Sequence, residues 1–259
     1  MSIPRYRRPP VGERVALLFV EEDSDQHTAL FEAWRQHIQH DYPKPQHKNE
    51  WLLEVEEKNG IPQFGDIRPR LKILHQFLQS DKDRGFVLRC PAEKFSLHLL
   101  TPTDDERSYE DLREEFLKRS KEWMDHFKIT KINSLALIYV NKLNANTLPD
   151  FYSENQLALD QVLTIFTEIP GEHECLIPPL EYKATLRLSE PPGAEFQIIL
   201  KDHPLLYLQL QVQVKMDHLR ADTENIANIM DLCHKKLVER FELLFTKAAR
   251  DSFEPIPQE

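Results

Sequence analysis

Residues 205–216, LLYLQLQVQVKM, alternate apolar and polar side chains almost without a break. Successive side chains of a strand point to opposite faces of the sheet, whereas a helix would scatter such a pattern around its axis. A strand here puts Leu206, Leu208, Leu210, Val212, Val214 and Met216 on one face. Tyr207, Gln209, Gln211, Gln213 and Lys215 fall on the other. One dry face and one wet face is the signature of an antiparallel sheet covered on one side. The chain must therefore supply neighbouring strands and helices to bury the apolar face.

The rest of the sequence provides them. VALLFV at 15–20 reads as a buried strand, and Ser24 or Asp25 offers a cap to a helix marked by Leu30, Phe31, Trp34 and Ile38. That helix should stop before Pro43 and Pro45. WLLEVEE at 51–57 predicts a strand ending in a turn at Asn59-Gly60 and Pro62. Further strands are expected at 71–78, 85–90 and 95–101, the last alternating Phe95, Leu97 and Leu99 with Ser96 and His98. Ser108 and Asp111 have the spacing of a capping box, ahead of a helix with Leu112, Phe116, Trp123 and Phe127 on one face. SLALIYVNKL at 134–143 predicts a buried strand. Ser153 and Gln156 suggest a second box before a helix carrying Leu157, Leu159, Val162, Leu163 and Phe166. Strands are expected at 181–189, burying Tyr182, Ala184, Leu186 and Leu188, and at 195–201. A long closing helix is expected over 223–249, striped by Ile226, Ile229, Met230, Cys233, Leu237, Phe241, Leu244 and Phe245.

The element order of the first half, strand, helix, several strands, helix, recurs in the second half, with about 120 residues between Val15 and Leu135. This predicts an α+β fold with two similar lobes from an internal duplication. An N-terminal arm would occupy 1–14, a first lobe 15–133 and a second lobe 134–259. The element order is similar to that of the TATA-binding-protein saddle and of helix-grip proteins, an analogy of topology that does not carry function. If the two sheets join, their polar side forms one broad surface that includes Lys183, Thr185, Arg187, Gln209, Gln211, Gln213 and Lys215.

Composition removes the common chemistries. Glycine is scarce, 6 of 259 residues, about 2% against a usual share of about 7%. The chain has no phosphate-cradling GxGxxG or GxxxxGK[ST], and no HExxH or GxSxG. A formal net charge of −10 argues against broad nonspecific nucleic-acid binding, though it leaves room for a local basic patch. No apolar run is long enough to span a bilayer, and no secretory leader is expected from the Arg-rich start. Cys90, Cys175 and Cys233 form no CxxC; each is expected to be a small buried hydrophobe in a reducing compartment.

Several residues carry side chains capable of chemistry. His37, His40 and Asp41 share a helix face, but no second histidine pair supports a metal site. His173-Glu174-Cys175 lies in a loop without a glycine-rich turn to hold an oxyanion. Asp104, Asp105 and Glu106 precede the Ser108 cap, where they suit the helix dipole. His234-Lys235-Lys236 reads as the solvated face of the last helix. The glutamine row is either the wet side of a sheet or a binding surface, since amides offer donors and acceptors without charge. Arg5, Arg7 and Arg8, beside Pro9-Pro10, form an arm able to meet an acidic partner or phosphate, or else a mobile terminus.

Three segments carry a resemblance. RYRRPPVGERVALLFV at 5–20 resembles the opening of a sporadically distributed bacterial family of about 260-residue proteins with no assigned activity. KITKINSLALIYVNKLN at 128–144 resembles its central strand, departing at Ser134-Leu135-Ala136-Leu137, where the family has a glycine and an arginine. IMDLCHKKLVERFELLFTKAARDSFEPI at 229–256 resembles its closing helix and terminal Phe-x-Pro. The resemblance implies a soluble, cytoplasmic bacterial protein from mobile and phage-defence loci, CRISPR loci among them, and it brings no catalytic residues.

The expected function is a non-catalytic interaction or regulatory protein, an accessory component of an antiviral system. It would bind another protein of the same locus through Lys183, Arg187, Gln209, Gln211, Gln213 and Lys215, or through Arg5, Arg7 and Arg8. Nucleic acid is a less favoured partner, no membrane is expected, and no cofactor is expected. Two alternatives stand beside it. One is a small-ligand or nucleotide sensor with Phe116, Trp123, Phe127, Phe241 and Phe245 around a cavity under the long helix. The other is an enzyme using His173 or His98.

Overall fold

The computed structural model describes residues 6–20, 27–58, 61–79, 85–89, 94–100, 108–153, 156–167, 181–190, 192–202, 206–220 and 222–256. In chain order these form β1 (Val11–Val20), α1 (His27–Ile38), β2 (Lys44–Lys58), β3 (Ile61–Leu78), β4 (Gly85–Arg89), β5 (Lys94–Leu100), α2 (Tyr109–Phe127) and β6 (Lys131–Lys142). A 3-10 turn at Pro149–Phe151 follows. Then come β7 (Tyr152–Ser153), β8 (Gln156–Leu157), α3 (Leu159–Val162), α4 (Thr164–Thr167), β9 (Glu181–Arg187), β10 (Ala194–Asp202), β11 (Leu206–Arg220), α5 (Thr223–Leu244) and α6 (Lys247–Ser252).

The fold is α+β. Nine strands form one antiparallel sheet in the order β2-β3-β4-β5-β1-β6-β11-β10-β9. β1 and β6 meet at its middle, with Ala16 opposite Leu137 and Leu18 opposite Leu135. Cross-strand partners share a face, so the register extends the apolar side across the sheet. Ala16, Leu18 and Val20, then Phe95 and Leu97, Leu135 and Leu137, and Leu208, Leu210, Val212 and Val214 are all buried there. The alternation expected over 206–216 is the alternation found, with Met216 buried and Lys215 exposed.

Helix α2 covers β5 and β1, and α5 covers β6 and β11. Leu112, Phe116 and Trp123 form the buried stripe of α2, and Phe95 of β5 lies 5.6 Å from the Phe116 ring and 5.3 Å from Trp123. Asp111 accepts a hydrogen bond from the Ser108 N–H at 2.6 Å, the reciprocal half of the expected capping box. Ile226, Met230, Cys233, Leu237, Phe241 and Leu244 line the buried side of α5.

Four expectations are corrected. Ser153 and Gln156 cap no long helix; they pair with each other across the β7–β8 hairpin. The segment behind them yields only the short α3 and α4, because Leu163 between them is extended and bridges to Phe245, while Thr246 donates its N–H to the Val162 carbonyl at 2.9 Å. The same bridge ends α5 at Leu244, where the sequence predicted a helix running to 249. Thr246 then caps α6, its hydroxyl accepting from the Ala249 N–H. β3 begins at Ile61, well ahead of the expected 71, and includes Pro62 and Pro69. Beyond Gln76–Leu78 it pairs with β2 alone among the described residues, so an absent proline N–H on the outer side breaks no ladder bond. Finally, Tyr182 and Leu186 of β9 are 37% and 46% exposed, although they share the face of buried Leu200 and Phe196. β9 is the end strand of the sheet, with β10 as its one neighbouring strand among the described residues.

The N-terminal segment from Tyr6 is tied down. Arg7 and Arg8 donate backbone N–H bonds to the Glu254 and Phe253 carbonyls, and Tyr6 donates its hydroxyl to Glu242 of α5. Gly12 at the start of β1 lies beneath the Lys142 side chain, whose Cε would stand 2.4 Å from any Cβ placed there.

Candidate functional site

The face of the sheet opposite α2 and α5 collects the residues of the other strand parity. Along β11, the Gln209 amide donates to Gln211 Oε1 at 3.4 Å and the Gln211 amide to Gln213 Oε1 at 3.3 Å. Gln213 in turn donates to Ser134 Oγ of β6 at 3.1 Å. The bonds run along one strand because residues two apart share a face. An amide group carries two N–H donors, so each glutamine that donates within the row has a second one to offer.

The register adds neighbours to that row. Glu195, Gln197, Ile199 and Lys201 of β10 lie opposite Gln213, Gln211, Gln209 and Tyr207. Arg187, Thr185 and Lys183 of β9 lie opposite Glu195, Gln197 and Ile199. Lys183, Arg187, Gln209, Gln211, Gln213 and Lys215 therefore share one surface. Arg7 and Arg8 do not join it, since they bond to the C-terminal segment beside α5. Arg5 lies outside the described residues. The middle of the face is largely apolar: Val15, Leu17 and Phe19 of β1 lie opposite Ile138, Ala136 and Ser134 of β6, and Val140 lies opposite Glu13.

On the far side of that stripe stands a second polar group. His98 Nδ1 lies 2.6 Å from Glu13 Oε1, and His98 Nε2 lies 3.1 Å from Ser96 Oγ. Burial pushes the His98 imidazole below its usual pKa. Burial also works to raise the Glu13 carboxyl, but the hydrogen bond from His98, with Arg89 and Lys142 nearby, holds it low. A neutral imidazole beside a carboxylate donates from Nδ1–H and keeps Nε2 as an acceptor toward Ser96, whose hydroxyl also donates to the Arg89 carbonyl at 3.4 Å. That is the order of nucleophile, base and carboxylate used by serine hydrolases. Two features oppose catalysis. Ser96 is only 2% exposed, and its strand is paired on both sides, by β4 and β1, so its backbone N–H groups serve the ladders rather than an oxyanion. The line continues as structure: Arg89 donates to Gln76 Oε1 at 3.1 Å, and Gln76 to Gln46 Oε1 at 3.4 Å.

The alternation at 95–101 put Ser96 on the face of His98, but Glu13 had no sequence signal as its partner. Glu13 is 85 residues away and arrives only through the β1–β5 register. A further cluster was also invisible. Tyr139 OH lies 2.6 Å from His234 Nδ1, and the Tyr109 ring stacks on His234 with centroids 3.9 Å apart. Tyr109 and Arg113 both donate to Asp231. His234 is thus half-buried between α2, α5 and β6, which corrects its reading as solvated face.

The remaining candidates are placed as follows. Asp41 accepts hydrogen bonds from Arg119 and His40, which hold its carboxyl down at about 2. His37 faces Glu122 at 3.9 Å. No group of three metal-ligating side chains occurs among the described residues. Phe116 and Trp123 pack on Phe95, and Phe241 packs on Phe245 and Phe253, so these rings fill the core together. Cys233 is buried, with its thiol pushed up to about 12 by burial. No helix among the described residues is long and apolar enough to cross a membrane. Ser24, Asp25, Asn59, Gly60, Cys90, Asp104, Asp105, Glu106, His173 and Cys175 lie outside the described residues. No family model, no curated protein and no solved structure matches the chain.

Proposed function

We propose that this is a non-catalytic contact protein whose polar sheet face holds an acidic partner protein. One observation carries the reading: an acidic chain, −10 overall, presents a face rich in amides and cations. Lys142, Lys183, Arg187, Lys201 and Lys215 lie there by register, against Glu13, Glu195 and position 181 on the acidic side. The apolar stripe of Val15, Leu17 and Phe19 on β1 and Ala136, Ile138 and Val140 on β6, between two polar flanks, suits a protein surface, which buries apolar atoms at its centre and polar ones at its rim. Charge complementarity would set specificity and encounter rate. An accessory or regulatory role in a cytoplasmic bacterial defence system, CRISPR-associated or otherwise, rests on the family resemblance of the three segments.

The reading includes an internal duplication with a topology like that of the TATA-binding-protein and helix-grip group. Its support is the strand order: β5, β4, β3 and β2 extend from β1, and β11, β10 and β9 extend from β6. The 120-residue spacing between Val15 and Leu135 joins residues of opposite faces. An offset of 120 residues would carry Leu18 onto Ile138, which lies on the opposite face, so an odd offset, one residue longer or shorter, keeps inside residues inside.

The test is affinity purification from the native host with nuclease present. The variant Lys215→Glu/Lys201→Glu, which leaves Arg187 in place, should lose a stoichiometric partner that the unaltered chain retains, with the melting temperature unchanged. Retention of that partner by the variant, or loss of binding on nuclease treatment alone, refutes the reading.

A second reading rests on Ser96, His98 and Glu13: a serine nucleophile acting on an acyl or phosphoryl substrate. It requires Ser96 to be reached by substrate, and a fluorophosphonate probe decides it. Labelling at Ser96 that disappears in His98→Ala would favour it over the contact reading.

A further inference from the structure

The geometry points to a symmetric homodimer in which the β9 strands of two copies pair antiparallel about Ala184, continuing two nine-stranded sheets into one. This inference stands apart from the proposed contact role of the polar face.

β9 ends the sheet, with β10 on one side and no strand beyond it among the described residues. An edge strand is a template for another strand unless charge, proline or a covering segment blunts it, so the charges of β9 at Lys183 and Arg187 decide which register it can accept. Leu188 donates its N–H to the Ala194 carbonyl at 2.9 Å. Backbone groups alternate in direction along a strand. Tyr182, Ala184 and Leu186 therefore turn theirs toward β10, and residues 181, 183, 185 and 187 turn theirs away from it, to the side without a strand among the described residues.

That parity restricts self-pairing. Edge-directed residues must meet edge-directed residues, so the two-fold axis passes through a residue and not between two. Centred on Lys183, two lysines face each other. Centred on Thr185, Lys183 faces Arg187 twice. Like charges directly opposite are destabilising. Centred on Ala184, position 181, a glutamate, meets Arg187, Lys183 meets Thr185, and Tyr182 meets Leu186, each twice. Axes nearer either end leave most of β9 unpaired.

The Ala184 register also continues the rows already present. Across the junction one row would read Glu195, Arg187, Glu181 of the second copy and Lys201 of the second copy, with charges alternating. The apolar row would read Phe196, Leu186, then Tyr182 and Leu200 of the second copy. Phe196 and Leu200 are buried within one chain, while Leu186 and Tyr182 are 46% and 37% exposed. The second copy would cover that exposed pair and extend the apolar layer across the dimer axis. Tyr182 and Leu186 would form non-hydrogen-bonded pairs, the class in which opposed side chains come closest.

Sedimentation velocity of the full chain, from low to high micromolar concentration, reads the association. Arg187→Glu and Glu181→Arg should each weaken the dimer at least about tenfold, since each turns two ion pairs into two like-charge contacts. The double variant Glu181→Arg/Arg187→Glu should restore it, which a merely structural effect would not do. Under mild oxidation, Ala184→Cys should give a covalent dimer whose linked peptides join 184 to 184. A chain that stays monomeric throughout, a dimer indifferent to both single variants, or a double variant that fails to recover overturns the proposal. So does a 184–184 link that is no faster than one from Lys215→Cys, placed away from the edge.

Discussion

Burial keeps the His98 imidazole from taking up a proton, and the folded chain therefore binds fewer protons there than the unfolded chain does below about 6.5. The contribution is complete above that value and is lost as pH falls toward the lowered folded pKa. Glu13 acts in the same direction at lower pH, since its folded pKa also lies below the unfolded one. The melting temperature should thus decline between pH 7 and pH 5, and His98→Gln should flatten the decline. A pH series of thermal melts for both proteins checks this, and an unchanged slope refutes it. Arg119 sets a second residue-scale expectation. It is 5% exposed and donates to Glu115 at 2.7 Å, to Glu122 at 2.9 Å and to Asp41. Arg119→Met should cost about 1–3 kcal/mol, less than the about 3–5 of a fully buried pair because its carboxylates keep water contact; urea unfolding measures it. The sequence placed Asp41 and Glu115 on separate helices without linking them. Their common arginine became visible only when α1 was laid against α2.

Elements with one strong periodicity were legible from sequence, and elements decided by a neighbour were not. β11 and α2 carry their pattern locally, so their existence and facing followed from residue spacing alone. The segment at 157–167 has a helical pattern too, but Leu163 exchanges helix continuity for a bridge to Phe245, 82 residues away. Tertiary context overrides propensity there. α5 offers an internal comparison. Leu237 is fully buried, and Leu243 on the same helix is 63% exposed. Leu237→Ala should destabilise by about 2–5 kcal/mol through lost transfer energy and a residual cavity, whereas Leu243→Ala should stay within about 0.5 kcal/mol. Equal effects in chemical denaturation would show that α5 packs with a different face. At the start of β1, Gly12→Ala requires only the flexible Lys142 chain to swing aside. Its cost should therefore stay below about 1 kcal/mol, the scale of ordinary surface substitutions; a larger loss in the same assay would place rigid backbone over Gly12.

At the scale of the whole molecule, the sheet order decides what the surface contains. Joining β1 to β6 places the Ser96–His98–Glu13 group and the glutamine row on one face, separated by the apolar stripe. If that face serves contact, a fluorophosphonate probe should leave Ser96 unlabelled in the folded chain, as intact-mass analysis would reveal; labelling at Ser96 would move the assignment toward the second reading. By itself, the sequence determined the α+β class, the long alternating strand, the facing of α2 and α5, and the shared side of Gln209, Gln211, Gln213 and Lys215 within one strand. These depend on periods of two and 3.6 residues, which are local properties of the chain. The tertiary structure alone decided that Glu13 meets His98, that Tyr6, Arg7 and Arg8 bond to the far terminus, and that Tyr182 and Leu186 stand exposed at an edge. Those outcomes depend on which strand neighbours which and in what register. Such pairings join residues far apart in the chain, and no local spacing encodes them.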